Sequence, residues 1–475
     1  MRKLFRFLLK EKVLLVAILI VGFIVRLYKI NSPIADWHSF RQADTAAVAR
    51  VYLEKGINLL EPTYYDISRV QSGHFNPIGY RFVEFPIYQL LHVEFYRVLP
   101  LFSFEEIGRM LSAVFAVVTA YFLFQIAKLI FGKYIGLLTA FIYLILPFNI
   151  YFTRVILPEP LSVMLGVVAL WFFLRYEKSN RLSFLVLYSI CMSAALLVKP
   201  YLVFYNFYPL YFFLKKYRLK KLFLNRETLI VSIIVLVPFI LWRIWISRHP
   251  EGIPFWNWTF NGDGVRFKPA FWYWIFGERI GKLILGIWGI YPFLLGLAKV
   301  RKNAFVVSML VGSLTYLCVV STANVRHDYY QTLIIPSIAP VVAIGFGEMI
   351  NSAKKKLTEL GFPLVIFLLM ILISAFQVKE YYKIDHPEII EAGEAVQQLT
   401  PPDALVIASY NGDTAFLYQT NRKGWPVVEL PIDELINEGA SYYASVNLND
   451  AQTIEFMKRF QILKRTNNYV VLKLK

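Results

Sequence analysis

Apolar residues in this chain gather into long blocks separated by short polar stretches. The blocks cover residues 13–30, 108–131, 134–152, 157–174, 182–199, 200–214, 228–246, 280–298, 304–320, 330–350 and 361–377. A helix needs about 20 consecutive apolar residues to cross a bilayer, and these blocks lie near that length. The pattern predicts a polytopic α-helical membrane protein with about eleven transmembrane helices. Basic clusters punctuate the blocks: Lys215, Lys216, Arg218, Lys220, Lys221 and Arg226; Lys299, Arg301 and Lys302; Lys354, Lys355 and Lys356; Arg175, Lys178 and Arg181. Lys and Arg mark the cytoplasmic side of membrane proteins, which places these clusters inside together with Arg2, Lys3, Arg6, Lys10 and Lys12.

Residues 84–101, EFPIYQLLHVEFYRVLPL, decide the count. They are apolar enough for a span but carry Glu84, His92, Glu94 and Arg97, a heavy polar load for a lipid-facing helix. Were this segment to cross, every later basic cluster would flip outside; as an amphipathic helix along the interface, it leaves all of them inside. The second arrangement is the expectation, with the N-terminus cytoplasmic and the C-terminus outside. The first block is read as an uncleaved span whose Arg26 and Lys29 snorkel to the interface.

After residue 380 the pattern changes. ALVIAS after Pro401, Pro402 and Asp403, helical stretches at 388–399 and 450–459, and a final NYVVLKL predict a small extracytoplasmic α/β domain over 381–475. The domain reading is thus 1–380 for the membrane part, with a first outer loop at 31–107, and 381–475 for the appended domain.

Composition agrees with membrane embedding: 57% of the 475 residues are hydrophobic and only 17% charged, against about 25% charged in soluble domains. The net charge of +18 then reads as cytoplasmic loop charge rather than nucleic-acid binding. Cys191 and Cys318 both lie in apolar blocks and suggest no disulfide framework.

Candidate chemistry collects in segments expected on the outer face. ADWHSFRQADTAAVAR packs Asp36, His38, Arg41, Gln42 and Asp44 directly after the first block. Asp44 is placed to cap the following helix, and a plain solvated juxtamembrane helix accounts for the same residues. Glu159 stands between two prolines at the head of an apolar block, with Arg154 close before it. A helix-start carboxylate favoured by the macrodipole is the bland alternative. Glu84 opens the interfacial helix. Lys199, Arg326 and His327, with Tyr329 and Tyr330 beside them, break the positive-inside layout. An anionic partner such as phosphate would explain them, and so would a salt bridge to an outer carboxylate such as Asp328. The aromatic stretches PFWNWTFNGDG and FWYWIFGE suit interface anchoring or contact with a lipid. No GxGxxG, P-loop, CxxC, HExxH or GxSxG is present.

Taken in order, DWHSFRQADTAAVAR, VEFPIYQLL, RVILPEPLSVML and HDYYQTLIIP resemble the GT-C fold membrane glycosyltransferases. The resemblance is to glycosyltransferase family 39, which includes protein O-mannosyltransferases and aminoarabinose transferases; it covers about residues 10–380 and is strongest in the first 200. It implies a polyprenyl-phosphate sugar donor and an acidic residue in the first outer loop, a place Asp36 fills. Many such proteins have two adjacent acidic residues there, whereas Trp37 and His38 follow Asp36. Glu159 resembles the acidic residue that opens a later span, and Glu84 stands near a motif often carrying Pro-Pro, of which Pro86 is left.

The expected activity is sugar transfer to a hydroxyl-bearing protein, glycan or lipid at the outer face of the plasma membrane. Asp36, Glu159 and Glu84 are the catalytic candidates, and Arg326, His327, Lys199, Arg154, Tyr329 and Tyr330 the donor-binding ones. His38, Arg41, Gln42 and Asp44 would support the loop. A divalent metal bridging Asp36 and the phosphate is allowed but not demanded. A transporter or flippase of lipid-linked sugars is the competing class; it would need polar residues buried at mid-membrane and often shows inverted repeats or broken helices. Although Pro147 and Pro336 interrupt blocks, the sequence shows no repeat and no charge chain through the bilayer.

Overall fold

The computed structural model describes residues 10–222, 224–353 and 360–475, with the backbone alone at 218–222. The basic residues Arg2, Lys3, Arg6 and Lys354–Lys356 lie outside the described residues, as do the side chains of Arg218, Lys220 and Lys221. The chain divides into two compact units. The first comprises residues 1–30, 109–242 and 256–380, the second 31–108, 243–255 and 381–475.

The first unit is helical, and helix is found in each of the eleven apolar blocks. Among the described residues five helices are long and apolar enough to cross a membrane: Phe104–Phe131, Glu159–Ser179, Arg226–Ile246, Asp328–Ala353 and Gly361–Tyr382. Four shorter apolar helices, Lys133–Ile145, Leu182–Val198, Ile290–Val300 and Ala304–Val319, accompany them. Several blocks are broken for local reasons. At Leu146 the backbone turns extended (ψ 120°) and Pro147 starts a new short helix, Pro147–Phe152; the residue before a proline is pushed out of the helical region. Pro336 sits in the first turn of helix Ile335–Ala353, after a 3-10 stretch over Asp328–Ile334, where a missing N–H costs nothing.

Glycines set the closest approaches. A Cβ on Gly345 would stand 1.7 Å from the Pro292 carbonyl oxygen, and one on Gly296 would stand 1.9 Å from that of Val341. Helices Ile290–Val300 and Ile335–Ala353 therefore touch backbone to backbone, the small-residue packing favoured where no hydrophobic effect drives helices together.

Arg26 corrects the sequence reading. It is fully buried, with Nε donating to Thr153 Oγ1 (2.7 Å) and Nη1 to the carbonyls of Gly22 (2.6 Å) and Leu144 (3.1 Å). The helix Glu11–Ile24 ends just before it in a single 3-10 turn, so the guanidinium satisfies helix-end carbonyls instead of reaching an interface.

The second unit is built on a five-stranded sheet of order β2-β1-β3-β5-β4. The strands are β1 (Val406–Ser409), β2 (Gly424–Trp425), β3 (Tyr442–Ser445), β4 (Gln461–Arg465) and β5 (Val470–Lys473). β1 runs parallel to β2 and β3, while β5 is antiparallel to both β3 and β4. Helices Glu388–Leu399 and Ala451–Arg459 fall where the sequence placed them. Asp450 caps the second by accepting from Thr453 N at 3.1 Å. The core includes Ile407, Trp425, Tyr443, Phe456, Val470 and Leu472.

Residues 31–108 belong to this unit. Ile67 N donates to Gly424 O, and Gly424 N to Tyr65 O, both at 2.9 Å, so the loop extends the sheet beside β2. Ile67 packs in the same core. The segment 84–101 holds a helix of only 12 residues, Ile87–Val98, far short of the ~20 needed to span. His92 is buried in it, Nε2 donating to the Phe104 carbonyl at 2.7 Å, and burial pushes its pKa down to about 4.

Candidate functional site

In the second unit the candidates cluster around helix Ser39–Lys55. His38, just before it, adopts a left-handed conformation (φ 56°). Asp36 is 4% exposed, and its Oδ1 accepts from Gln42 Nε2 at 2.7 Å. The same amide donates to the Trp37 carbonyl at 3.2 Å. Arg41 pairs with Glu84 at 2.5 Å, and Gln89 Nε2 donates to the other Glu84 oxygen at 2.9 Å. Both charges of the Arg41–Glu84 pair are buried, the condition under which a carboxylate must be paired and hydrogen-bonded to persist.

Asp44 does not cap the helix. The helix begins at Ser39, so Asp44 lies in its second turn, beyond the reach of an N-cap. It is instead 1% exposed, ion-paired with Arg81, and accepts from Thr414 Oγ1 at 2.6 Å. Two further carboxylates lie in this unit, Asp66 buried and Asp413 partly so. Burial raises Asp66 to about 6, against the pull of its hydrogen bonds from Ser68, and raises Asp413 to about 6 likewise.

In the first unit Glu159 opens helix Glu159–Ser179 and is wholly buried. Lys199 Nζ lies 2.7 Å from Glu159 Oε1, with side-chain exposures of 7% and 0%. The ammonium also stands 5.8 Å from the centre of the Tyr330 ring, within cation–π range. Tyr330 stacks on Tyr329 (4.6 Å), and His327 stacks on Tyr329 (5.6 Å). Thus Glu159, Lys199, Tyr330, Tyr329 and His327 form one connected group. Arg154, fully buried, lies over the Tyr151 ring at 5.7 Å.

Arg326 stands apart from that group. Its side chain is 57% exposed and pairs with Asp263 at 3.6 Å; Asp328, expected as a partner, is held instead by Arg279 at 3.3 Å. Asp263 also accepts from Thr322 at 2.7 Å, and Arg266 donates to the Cys318 carbonyl at 2.9 Å. These bonds fasten the aromatic loop to residues 318–326, while Trp256, Phe267 and Tyr273 stay exposed.

Sequence reasoning missed Arg81, Gln89, Thr414 and Arg279. Arg279 had a signal: like Arg326 it breaks the positive-inside layout near the end of an apolar block, in WIFGERIGK. Among the described residues no three His, Cys, Asp or Glu side chains gather closely enough to hold a metal ion.

The architecture is that of the GT-C membrane glycosyltransferases. The chain superposes on ArnT from Cupriavidus metallidurans bound to undecaprenyl phosphate with a TM-score of 0.70, at 13% identity, over 97% of both chains. The oligosaccharyltransferase of Archaeoglobus fulgidus, in its apo form, matches with a TM-score of 0.61 at 11% identity, over 91% of this chain and 70% of that one. AglB from the same organism, in complex with an inhibitory peptide and a dolichol-phosphate, gives 0.57 at 10% identity, over 97% and 74%. In sequence, residues 98–245 match the dolichyl-phosphate-mannose-protein mannosyltransferase family, the grouping that the motifs resemble. No curated protein matches the chain in sequence.

Proposed function

We propose that this protein transfers a sugar from a polyprenyl-phosphate donor to an acceptor hydroxyl at the outer face of the membrane, with inversion at the anomeric carbon. The observation that carries the reading is Asp36: a buried carboxylate, hydrogen-bonded by Gln42, directly after the first apolar block in a GT-C fold. Undecaprenyl phosphate in ArnT and dolichol-phosphate in AglB support a lipid-phosphate donor.

A hydroxyl is a weak nucleophile until a base takes its proton. Asp36 removes that proton as the acceptor oxygen bonds to the anomeric carbon. The bond from that carbon to the phosphate oxygen breaks, and the lipid phosphate leaves with the electron pair. Charge developing on the leaving phosphate calls for fixed cations. Among the residues of the first unit the candidates are Lys199, held by Glu159 and the Tyr330 face, and His327 and Arg154. Arg326, exposed and paired with Asp263, is a further candidate.

The test is transfer by purified protein from a radiolabelled polyprenyl-phosphate sugar to candidate acceptors in proteoliposomes. Asp36→Asn should lower the rate by about 10²–10⁴-fold while lipid-phosphate binding persists. Near-normal transfer by that variant would remove the base assignment. Movement of labelled lipid across the bilayer without product would favour a flippase.

A further inference from the structure

Asp36 is held by more than its own loop. The carbonyl of Ile34, two residues before it, accepts from Gln419 Nε2 at 2.9 Å. The amide of Trp37, one residue after it, donates to the Tyr381 carbonyl at 3.2 Å. The Trp37 and Tyr381 rings are stacked, 5.2 Å apart and 3° from parallel. Further along, Thr414 Oγ1 donates to Asp44 Oδ1 at 2.6 Å and lies 3.3 Å from the Phe40 carbonyl. Every one of these partners comes from residues 381–475.

We infer that the C-terminal segment is a positioning clamp for Asp36, with Gln419, Tyr381 and Thr414 as its contact points. The inference rests on the reading of Asp36 as base. Two backbone anchors flank the carboxylate within four residues, and the side-chain anchor falls on the helix that supplies Gln42. A free loop after an apolar block would let Asp36 swing, and misplacement by about 1 Å can cost on the order of 10²-fold in rate. Helix Thr414–Thr420 carries both Thr414 and Gln419 and is itself capped by Asp413, whose side chain accepts from Ala415 N at 2.7 Å. The clamp is therefore part of a folded element. Gln419, Thr414 and Tyr381 are positioning residues: the structure gives them contacts to the backbone and to Asp44, not a role at the reacting atoms.

The experiment uses the full chain in detergent. Thr414→Val with Gln419→Leu removes two contact points with little change of volume, and Gln419→Leu alone is the milder variant should the pair fold poorly. Thr414→Ser keeps the hydroxyl and should behave as wild type. Amide hydrogen exchange over residues 33–44 should quicken about tenfold in the double variant, with exchange in β1–β5 unchanged. Transfer should show a kcat about tenfold lower at a donor KM within twofold of wild type. Unchanged exchange over 33–44, faster exchange with an unaltered kcat, or a loss confined to KM would each overturn the clamp. Asp36→Asn serves as the separate control. If it transfers normally, the base assignment falls, while the exchange measurement still decides whether the segment holds the loop.

Discussion

Replacing Glu159 and Lys199 singly and together tests the heart of the first unit. The two charges lie 2.7 Å apart with almost no solvent contact, so at an effective dielectric constant of about 20 their gross attraction is about 6 kcal/mol. Desolvation consumes much of this, and removing one partner of a buried pair typically costs about 3–5 kcal/mol because the other charge is stranded. Glu159→Met should destabilise by that amount, and Lys199→Met similarly. The double variant should recover most of the loss, since apolar replacement of both partners is near neutral. Scaled from smaller domains, about 4 kcal/mol in a chain this long corresponds to a fall of roughly 4–8 °C in the unfolding midpoint. The assay is thermal unfolding of the four purified proteins in one detergent, with transfer measured in parallel. Stability should return in the double variant but activity should not, because the ammonium proposed to meet the phosphate is gone. Additive losses in the double variant would refute the coupling, and restored transfer would refute the role of Lys199.

Three further outcomes are expected. Burial raises Asp66 to about 6 from its ordinary value of 3.8, so its folded form favours the proton. Its stabilising effect is complete below about pH 4 and is lost as pH rises through 6. Asp66→Asn should therefore stabilise the protein at pH 7 by a few kcal/mol, since each tenfold change in proton affinity is worth about 1.4 kcal/mol, and leave melting at pH 4 unchanged. Arg81→Leu strands the buried Asp44 carboxylate and should cost about 3–5 kcal/mol, seen as a lower midpoint in denaturant. Gly345→Val puts side-chain atoms on the Pro292 carbonyl; it should force helices 290–300 and 335–353 apart and lower the melting temperature, whereas Gly361→Val, with open space around it, should not.

The sequence revealed what depends on local pattern. The eleven apolar blocks, the short helix in 84–101, strands β1 and β5 and helices 388–399 and 451–459 each carry their own signal in length, periodicity or flanking prolines. Weak local patterns were missed: β2 is two residues long, and β4, QILKR, alternates too little to stand out. The candidate residues were readable by type and place, but their partners were not. Arg41 with Glu84 and Asp44 with Arg81 and Thr414 join positions 43, 37 and 370 residues apart, and such closures leave no local mark. For the same reason Asp44 looked like a cap and Arg26 like an interface anchor. Both are defined by distant carbonyls or charges, and a single sequence shows only neighbours.

The loop that completes the sheet carries a consequence for how the chain is made. Arg69 finds Glu429 and Glu438, 360 and 369 residues later, and Ile67 waits for Gly424. At about 5–20 residues per second, ribosomes need roughly 20–70 s to supply those partners. During that interval most of the membrane helices are synthesised, while residues 31–108 have no finished core. A nascent chain stalled before residue 400 should thus be protease-sensitive across 31–108 even with its earlier helices inserted. Release of that sensitivity would time the arrival of the last hundred residues.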